Sequence, residues 1–346
     1  MCARCDRRVR AVHNAPALTL CAQRAYNRGR DATGTSPLPS LSRGEGAGGE
    51  GDEEGRKAMA SDGGDDASLL LTIDVSNTGI KFGLYPTDGG PLRARWRIAT
   101  VREKTTDEYA MLLAQLCAHA GIRTEQIRDV IMASVTPPLT PVFQELATAY
   151  LRREAIVITH EAPIGVPLLV DNPWEVGADR IISALAAHAL YGGPAIVIQF
   201  GTATSFDCVS AEGAFLGGAI APGLGISANA LASAASRLYQ VELAPPPAAL
   251  GTNTAHSMQS GIVFGHVGLV EGLVQRLRAE LPGGADARVI AHGGLADLMA
   301  GVTPCIDIVE PNLILAGLRV AYERLRGDAR PAQRRTARRE SGRGGK

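Results

Sequence analysis

Two turns rich in glycine and hydroxyl side chains have the residue types that bind phosphate. The first is Ser76-Asn77-Thr78-Gly79 and the second is Gly201-Thr202-Ala203-Thr204, and each follows an apolar, strand-like run. Glycine leaves backbone N–H groups accessible to an anion, and the hydroxyls add further donors. Asp74 ends the first run and could hold a metal ion or its waters, whereas Gln199 lies near the end of the second. Two ordinary β-hairpins would account for the same residues, so both interpretations stay open at this point.

A second chemical stretch surrounds an aspartate at the start of a predicted helix. Asn172-Pro173 interrupts the chain, and Gly177-Ala178-Asp179-Arg180 then opens a segment with helical periodicity. An aspartate at this point can simply cap the helix, which contributes about 1 kcal/mol. Alternatively, the helix N-terminus and Arg180 could bind an anionic substrate while Asp179 orients or deprotonates a hydroxyl. The chemistry of these residues alone favours capping.

The elements that must position these residues alternate between strands and helices. Between Leu69 and Arg326 the sequence contains ten strand-like runs and six helical patterns. Three strands followed by a helix and a further strand occur twice. This order predicts an α/β fold with a duplicated β-β-β-α-β-α unit in two lobes, residues 69–190 and 191–326. The two glycine-rich turns would then face each other across a cleft, which is a suitable geometry for a triphosphate.

Composition limits the remaining possibilities. The 346 residues are 45% hydrophobic with a formal net charge of zero, so neither bulk attraction to nucleic acid nor membrane association is favoured. No apolar run approaches the roughly 20 residues of a membrane helix, and we expect a cytoplasmic protein. Residues 1–58 are predicted to be disordered, and we hypothesise that translation begins at Met59. The Cys2/Cys5 pair is weak evidence for a metal site. Residues 327–346 are predicted to form a basic, disordered tail.

Taken in order, the motifs of the chain resemble those of the type III pantothenate kinases. The resemblance extends from about Leu69 to Arg326. That family has the fold of acetate and sugar kinases, Hsc70 and actin, acts as a homodimer, and phosphorylates pantothenate with ATP at the first step of coenzyme A synthesis. The motifs are Asp74-Val75-Ser76-Asn77-Thr78, Ser134-Val135-Thr136-Pro137-Pro138, Asn172 through Gly177-Ala178-Asp179-Arg180, Phe200-Gly201-Thr202-Ala203-Thr204, Gly217-Gly218 through Pro222-Gly223, Gly251-Thr252-Asn253-Thr254, Gly293-Gly294-Leu295 and Pro311 through Gly317-Leu318.

The resemblance implies a role for each matching residue. Asp179 is the expected proton acceptor from the substrate hydroxyl, and Asp74 is expected to hold magnesium indirectly. Pantothenate would contact Gly177, Ala178, Asp179, Arg180 and Thr254. ATP would contact Asp74, Val75, Ser76, Asn77, Thr78, Gly79, Ile80, Lys81 and Thr202.

Five residues depart from the family pattern, of which Glu310, where aspartate is usual, and Ser205, where threonine is usual, are the milder changes. Gln199 replaces an aspartate that binds an activating monovalent cation, potassium or ammonium, so cation binding should be weak or absent. Ser76 replaces a glycine and would be strained by about 1 kcal/mol or more if its φ were positive. His292 replaces a threonine near the expected adenosine site, where a partly exposed strand-end histidine is the favoured interpretation. We therefore predict an active pantothenate kinase with reduced or absent cation activation. The alternatives are a catalytically weak paralogue with a binding or regulatory role, because Gln199 and Ser76 lie at the phosphate site, and a kinase of the same fold with another alcohol substrate.

Overall fold

The computed structural model describes residues 68–340, with side chains described as far as residue 327. The predictions for residues 1–58, including the start at Met59 and the Cys2/Cys5 pair, lie outside the described residues. The first described element is the strand that precedes the first glycine-rich turn.

The first half of the described chain is built on one five-stranded sheet. Its strands lie in the order β3-β2-β1-β4-β5. β1 pairs antiparallel with β2, which pairs antiparallel with β3, whereas β4 and β5 run parallel to β1. The strands are β1 Leu69–Val75, β2 Gly79–Pro86, β3 Ala94–Ala99, β4 Ile127–Ser134 and β5 Ala155–Val157. The helices of this half are α1 Thr106–His119, α2 Thr140–Glu145, which continues as a π turn over Leu146–Tyr150, and α3 Ala178–Tyr191.

The second half repeats this arrangement. Its sheet has the order β10-β9-β6-β7-β8, which is the same sequence of third, second, first, fourth and fifth strand read in the opposite direction. The first three strands again pair antiparallel and the last two again run parallel. The strands are β6 Ala195–Phe200, β7 Ala203–Val209, β8 Phe215–Pro222, β9 Arg288–Gly293 and β10 Ile308–Val309, and the helices are α4 Leu224–Ala234, α5 Thr254–Gln259, α6 Gly265–Glu280, α7 Ala296–Ala300 and α8 Leu313–Glu340. The predicted duplicated α/β fold is confirmed.

Buried apolar runs explain why β1 and β6 lie at the centres of their sheets. Every residue of β1 is buried, and in β6 only Gln199 is partly exposed. A strand that is covered on both faces is expected to read as a continuous apolar run rather than as an alternating one. The two glycine-rich turns therefore follow the buried central strands of their sheets.

The two halves are joined by a pair of helices that belong to different predicted lobes. The apolar face of α3 packs against α8, with Ile181, Ile182 and Leu185 in one buried cluster with Ile314 and Leu318. Gly317 permits the close approach, since a Cβ there would lie 2.6 Å from the carbonyl oxygen of Ile182. α8 also packs on β1, β2 and β4. The C-terminal helix, which we had placed in the second lobe, thus covers the first sheet.

Two helical segments differ from the predicted bounds. α8 continues beyond Arg326 to Glu340, where a disordered tail was expected, and the alanine, arginine and glutamine content of this stretch favours helix. Residues 341–346 lie outside the described part. Apolar spacing predicts one helix over Thr254–Glu280, but a π turn at Ser260–Phe264 divides this segment into α5 and α6. Within residues 68–340, no helix combines the length and apolar character needed to cross a membrane.

Candidate active site

A cleft of about 290 Å³ brings together the predicted chemical residues of both halves. Its walls include the first glycine-rich turn with Lys81, the start of α3 with Asp179 and Arg180, and the second turn with Gln199 and Thr202. Residues separated by more than one hundred positions thus share one cavity. Concave sites with convergent polar groups are the usual location of substrate binding.

Short hydrogen bonds define the first turn. The Ser76 N–H donates to the Gly79 carbonyl over 3.2 Å, and the Thr100 hydroxyl donates to the Ser76 carbonyl over 2.7 Å. The Ser76 hydroxyl donates to Oδ1 of Asp74 over 2.9 Å. Among residues 68–340, Arg152 is the one non-glycine residue with positive φ, so the strain expected at Ser76 is absent. The serine is accommodated because its hydroxyl binds the adjacent carboxylate.

Asp74 presents an incompletely satisfied carboxylate to this turn. Its side chain is 1% exposed, and Oδ2 lies 3.3 Å from Nζ of Lys81 but accepts no hydrogen bond. Buried polar atoms normally have a partner, so Oδ2 can accept from a further donor such as a metal-bound water. Magnesium is usually held by one or two carboxylates together with substrate phosphates and waters. The donor set at Asp74 therefore fits the expected indirect magnesium role.

The second turn touches the first across the cleft. The Gly201 N–H donates to the Ala203 carbonyl over 3.0 Å, which closes the turn. The Thr202 hydroxyl donates to the Thr78 hydroxyl over 3.3 Å. The two predicted phosphate turns are therefore in direct contact, and an anion between them would be reached by donors from both halves.

Asp179 is not the N-cap of α3. That position is held by Gly177, and Oδ1 of Asp179 accepts the N–H of Arg180 over 2.9 Å within the first turn. Burial raises the pKa of Asp179, and the negative charge of Asp74 adds to this effect; the Arg180 N–H, the Gln199 side chain and the Arg180 charge oppose it. A carboxylate with a raised pKa accepts a proton more readily, which suits a general base.

Arg180 is held by the second half of the chain. Its Nε lies 2.7 Å and its Nη2 lies 2.6 Å from Oδ1 of Asp207 in β7, and its guanidinium lies 5.1 Å from the centre of the Phe215 ring. Burial raises the pKa of Asp207 to about 6, the charge and hydrogen bond of Arg180 lower it, and the charge of Asp179 raises it further. We had not selected Asp207 from the sequence. An acid inside an apolar strand is the signal that could have identified it, because buried carboxylates are rare unless they are paired.

Gln199 lines the same cleft as the proposed base. Hydrogen bonding from its side-chain amide is one of the effects that oppose the rise in the pKa of Asp179. Within the described part of the chain, no group of three His, Cys, Asp or Glu residues could hold a metal ion. Hard cations favour charged oxygen ligands, and a neutral amide supplies no negative charge. The weak or absent binding of a monovalent cation therefore stays a prediction.

His292 differs from the expected exposed strand-end histidine. It is 1% exposed, and its Nε2 lies 3.3 Å from the Ser183 hydroxyl of α3. Burial, followed by the positive charge of Lys81, lowers the pKa of His292 to about 3. The ring is therefore neutral near pH 7 and links β9 to the helix that carries Asp179.

Thr254 is not part of the cleft in its own chain. It is the first residue of α5 and lines a separate surface pocket with Leu231, Leu238 and Gly251. A contact between Thr254 and a substrate bound at Asp179 is therefore not formed within one chain by the described residues.

Comparison with known proteins identifies the family. A family model described as type III pantothenate kinase matches residues 70–276. The type III pantothenate kinase of Roseiflexus sp. (strain RS-1) is 50% identical over 255 residues, which covers 74% of this chain and 98% of that protein. The corresponding protein of Moorella thermoacetica is 48% identical over 256 residues, covering 74% of this chain and 99% of that protein.

A solved structure with a distant likeness is component A of the (R)-2-hydroxyglutaryl-CoA dehydratase of Acidaminococcus fermentans. It is 15% identical and covers 74% of this chain and 96% of that one, with a TM-score of 0.46. This likeness is too weak to bear on activity. The family match and the extent of the sequence identity, together with the paired phosphate turns, show that the chain belongs to the type III pantothenate kinase family.

Proposed function

We propose that this chain transfers the γ-phosphoryl group of ATP to the primary hydroxyl of pantothenate. The product would be 4′-phosphopantothenate, at the first step of coenzyme A synthesis. The observation that carries the proposal is the shared cleft, in which the part-buried carboxylate of Asp179 lies among both glycine-rich turns. The membership of the family supports the choice of substrates.

The two turns would hold the phosphates of ATP. Backbone N–H groups and the hydroxyls of Thr78 and Thr202 face the region where the turns meet. Lys81 adds a positive charge, and Asp74 would hold magnesium through its waters. Magnesium, when bound, neutralises charge on the transferred and leaving phosphate oxygens. This chain's own contribution is to hold the phosphates in line with the acceptor.

Asp179 would accept the proton of the substrate hydroxyl. Phosphoryl transfer through a loose transition state depends on positioning and charge neutralisation more than on early deprotonation. Gln199 and the Arg180 N–H both donate to the Asp179 carboxylate, so its orientation is set before the substrate binds. A fixed, part-buried carboxylate of this kind would orient the attacking oxygen and receive its proton as the new bond forms.

Arg180 would bind the substrate through the part of its guanidinium that Asp207 leaves free. Nε and Nη2 bind Asp207, while the side chain keeps 18% exposure on the cleft. The remaining N–H donors suit the carboxylate or amide oxygens of pantothenate. The ion pair between Arg180 and Asp207 would fix the direction in which these N–H donors point.

Three further properties complete the proposal. We propose that turnover does not require a monovalent cation, because Gln199 has no negative charge and its amide faces the cleft that contains Asp179. We also propose a homodimer, and the position of Thr254 outside its own cleft supports a contribution to the site of a second copy. A cytoplasmic location is proposed from the reaction that the family performs; the described cysteines Cys117, Cys208 and Cys305 are free thiols, which is compatible with a reducing compartment.

The test is detection of 4′-phosphopantothenate by mass spectrometry from the full chain with ATP, magnesium and pantothenate. Reactions in sodium alone and in potassium or ammonium should give equal product. Asp179→Asn should reduce turnover by about 100-fold or more, whereas the exposed control Asp171→Asn should not. Folded wild-type protein without product would favour the binding or regulatory alternative, and product only with other alcohols would favour a different substrate. The present observations favour neither alternative over the pantothenate kinase.

A further inference from the structure

Three charged residues form one lateral row across the first sheet. Asp74 of β1 lies opposite Lys81 of β2, and Lys81 lies opposite Arg97 of β3. Directly opposed residues of antiparallel strands project from the same face of a sheet. The row therefore carries one negative and two positive side chains, and the two positive ones line the cleft.

The positive charge of this row is only partly compensated. Lys81 lies 3.3 Å from Asp74, but none of the ion pairs among the described residues involves Arg97. Like charges directly opposite each other destabilise a sheet. An anion bound beside Lys81 and Arg97 would offset this repulsion.

The position of the Arg97 side chain shows where that anion would lie. The guanidinium passes over the first phosphate turn, and a Cβ at Gly79 would be only 2.8 Å from Nε and 3.0 Å from Nη2. Gly79 does not have positive φ, so its backbone conformation alone does not require glycine. The missing side chain at residue 79 makes room for the arginine directly beside the turn.

Arg97 also marks the boundary between two cavities. It lines the cleft that contains Asp179 and an adjacent cavity of about 320 Å³ that contains Arg95, Pro311 and Asn312 but not Asp179. Lys81 likewise lines both. Arg97 can therefore reach a ligand that extends from the cleft containing Asp179 into the adjacent cavity.

We propose that Arg97 is a nucleotide-binding residue that contacts the non-transferred phosphates of the triphosphate. The proposal rests on the assignment of ATP to this cleft under the proposed function. Arginine suits the role because its planar, permanently charged fork can donate two parallel hydrogen bonds to phosphate oxygens. Lys81 would then bind the phosphate nearer to Asp179, and Arg97 would bind the phosphates that stay on the nucleotide after transfer. Arg97 touches the nucleotide but not the group that is transferred.

The experiment measures nucleotide binding separately from turnover. Dissociation constants for Mg-ATP, Mg-ADP and AMP are determined by titration calorimetry on the full-length wild type, Arg97→Gln, Arg97→Lys and the control Arg93→Gln. Arg93 is exposed, precedes β3 and lines neither cavity, so it loses the same charge without the proposed contact. We expect Arg97→Gln to weaken Mg-ATP and Mg-ADP about 10-fold or more, with AMP affected less than 3-fold. Arg97→Lys should recover part of the loss, and Arg93→Gln should match the wild type.

Thermal unfolding without nucleotide excludes a purely structural role. Removing one of two opposed cations should leave the Tm of Arg97→Gln unchanged or raise it by about 1–3 °C. A lower Tm, or equal ATP affinity in Arg97→Gln and Arg93→Gln, would overturn the proposal. Wild-type protein that binds ATP but makes no phosphopantothenate would refute the proposed function while leaving Arg97 to be judged by the binding data. Wild-type protein that binds no ATP would refute both.

Discussion

The guanidinium of Arg180 and the carboxylate of Asp207 meet at a single oxygen atom, with Nε at 2.7 Å and Nη2 at 2.6 Å from Oδ1. Arg180 belongs to α3 and Asp207 to β7, so the contact connects the helix that carries Asp179 to the second sheet. The other carboxylate oxygen, Oδ2, is buried without a hydrogen-bond partner. The pair therefore fixes the orientation of Arg180 at the expense of an unsatisfied polar atom, which suggests a role in positioning rather than in stability alone.

Asp207→Asn should impair substrate binding more than ATP binding. The amide keeps the shape and one acceptor but removes the charge that holds Arg180, so kcat/KM for pantothenate should fall about 10- to 100-fold. Burial raises the pKa of Asp207 to about 6, so its charge is disfavoured in the folded protein, and the neutral amide should leave the free energy of unfolding near pH 7 unchanged or higher. Steady-state kinetics with each substrate and denaturant unfolding measure the two effects. An equal rise in KM for both substrates would indicate a general distortion of the cleft instead.

Gln199→Asp should create a response to potassium. In the wild type the amide of Gln199 donates to Asp179, whereas an aspartate would place a second carboxylate beside it. The repulsion should raise the pKa of Asp179 further, so that part of it is protonated and cannot accept the substrate proton, and kcat in sodium should fall by about 10-fold. A monovalent cation bound between the two carboxylates would relieve the repulsion and restore the rate. Assays in sodium, potassium and ammonium test this prediction, and Gln199→Ala provides the control that removes the amide without adding charge. A variant with the same rate in all three salts would count against it.

His292 should make the protein less stable in acid. Its pKa is about 3 in the folded state, below the ordinary value of 6.5, because the ring is buried and lies near the charge of Lys81. Between these two values the unfolded chain binds the proton and the folded chain does not. Stability is therefore fully present above about pH 6.5 and is lost at roughly 1.4 kcal/mol per pH unit as the pH falls below it.

Unfolding curves of wild type and His292→Gln between pH 4.5 and 7.5 isolate this contribution. The glutamine does not titrate, so the difference in unfolding free energy between the two proteins should shrink as the pH falls. Asp207 acts in the opposite direction, because its raised pKa favours the folded state as the pH falls toward 4, and it is present in both proteins. A difference that stays constant with pH would show that His292 is not neutral in the folded protein.

Hydrophobic periodicity and turn residues predicted most of the fold. The apolar runs before Ser76 and Gly201 identified the two central strands, and glycine with hydroxyls identified both phosphate turns. Contacts between polar side chains that are far apart in the sequence could not be predicted in the same way. Asp207 occupies an apolar strand and is explained only by Arg180, twenty-seven positions away, and His292 appeared exposed until α3 was placed over β9. Local patterns report the face and end of an element, whereas the partner of a buried polar group depends on packing between elements.

Gly223→Ala should test whether the second phosphate turn is held by backbone packing. The Gly223 N–H donates to the Thr202 carbonyl over 3.2 Å, and a Cβ at Gly223 would lie 2.4 Å from that oxygen and 2.5 Å from the Gly201 oxygen. Both atoms belong to the backbone and cannot move as a flexible side chain would. The turn must therefore shift away from β8, which should cost about 1–3 kcal/mol of stability and raise KM for ATP.

The matched control is Gly225→Ala, two residues further along. A Cβ at Gly225 would meet no atom within 4 Å, and its position inside α4 favours alanine by roughly 0.5–1 kcal/mol. This variant should be as stable as the wild type or more so, with unchanged KM for ATP. Because both variants add one methyl group beside the cleft, a difference between them reports the displacement of Gly201 and Thr202. Equal KM values for ATP would show that the nucleotide does not depend on the second turn.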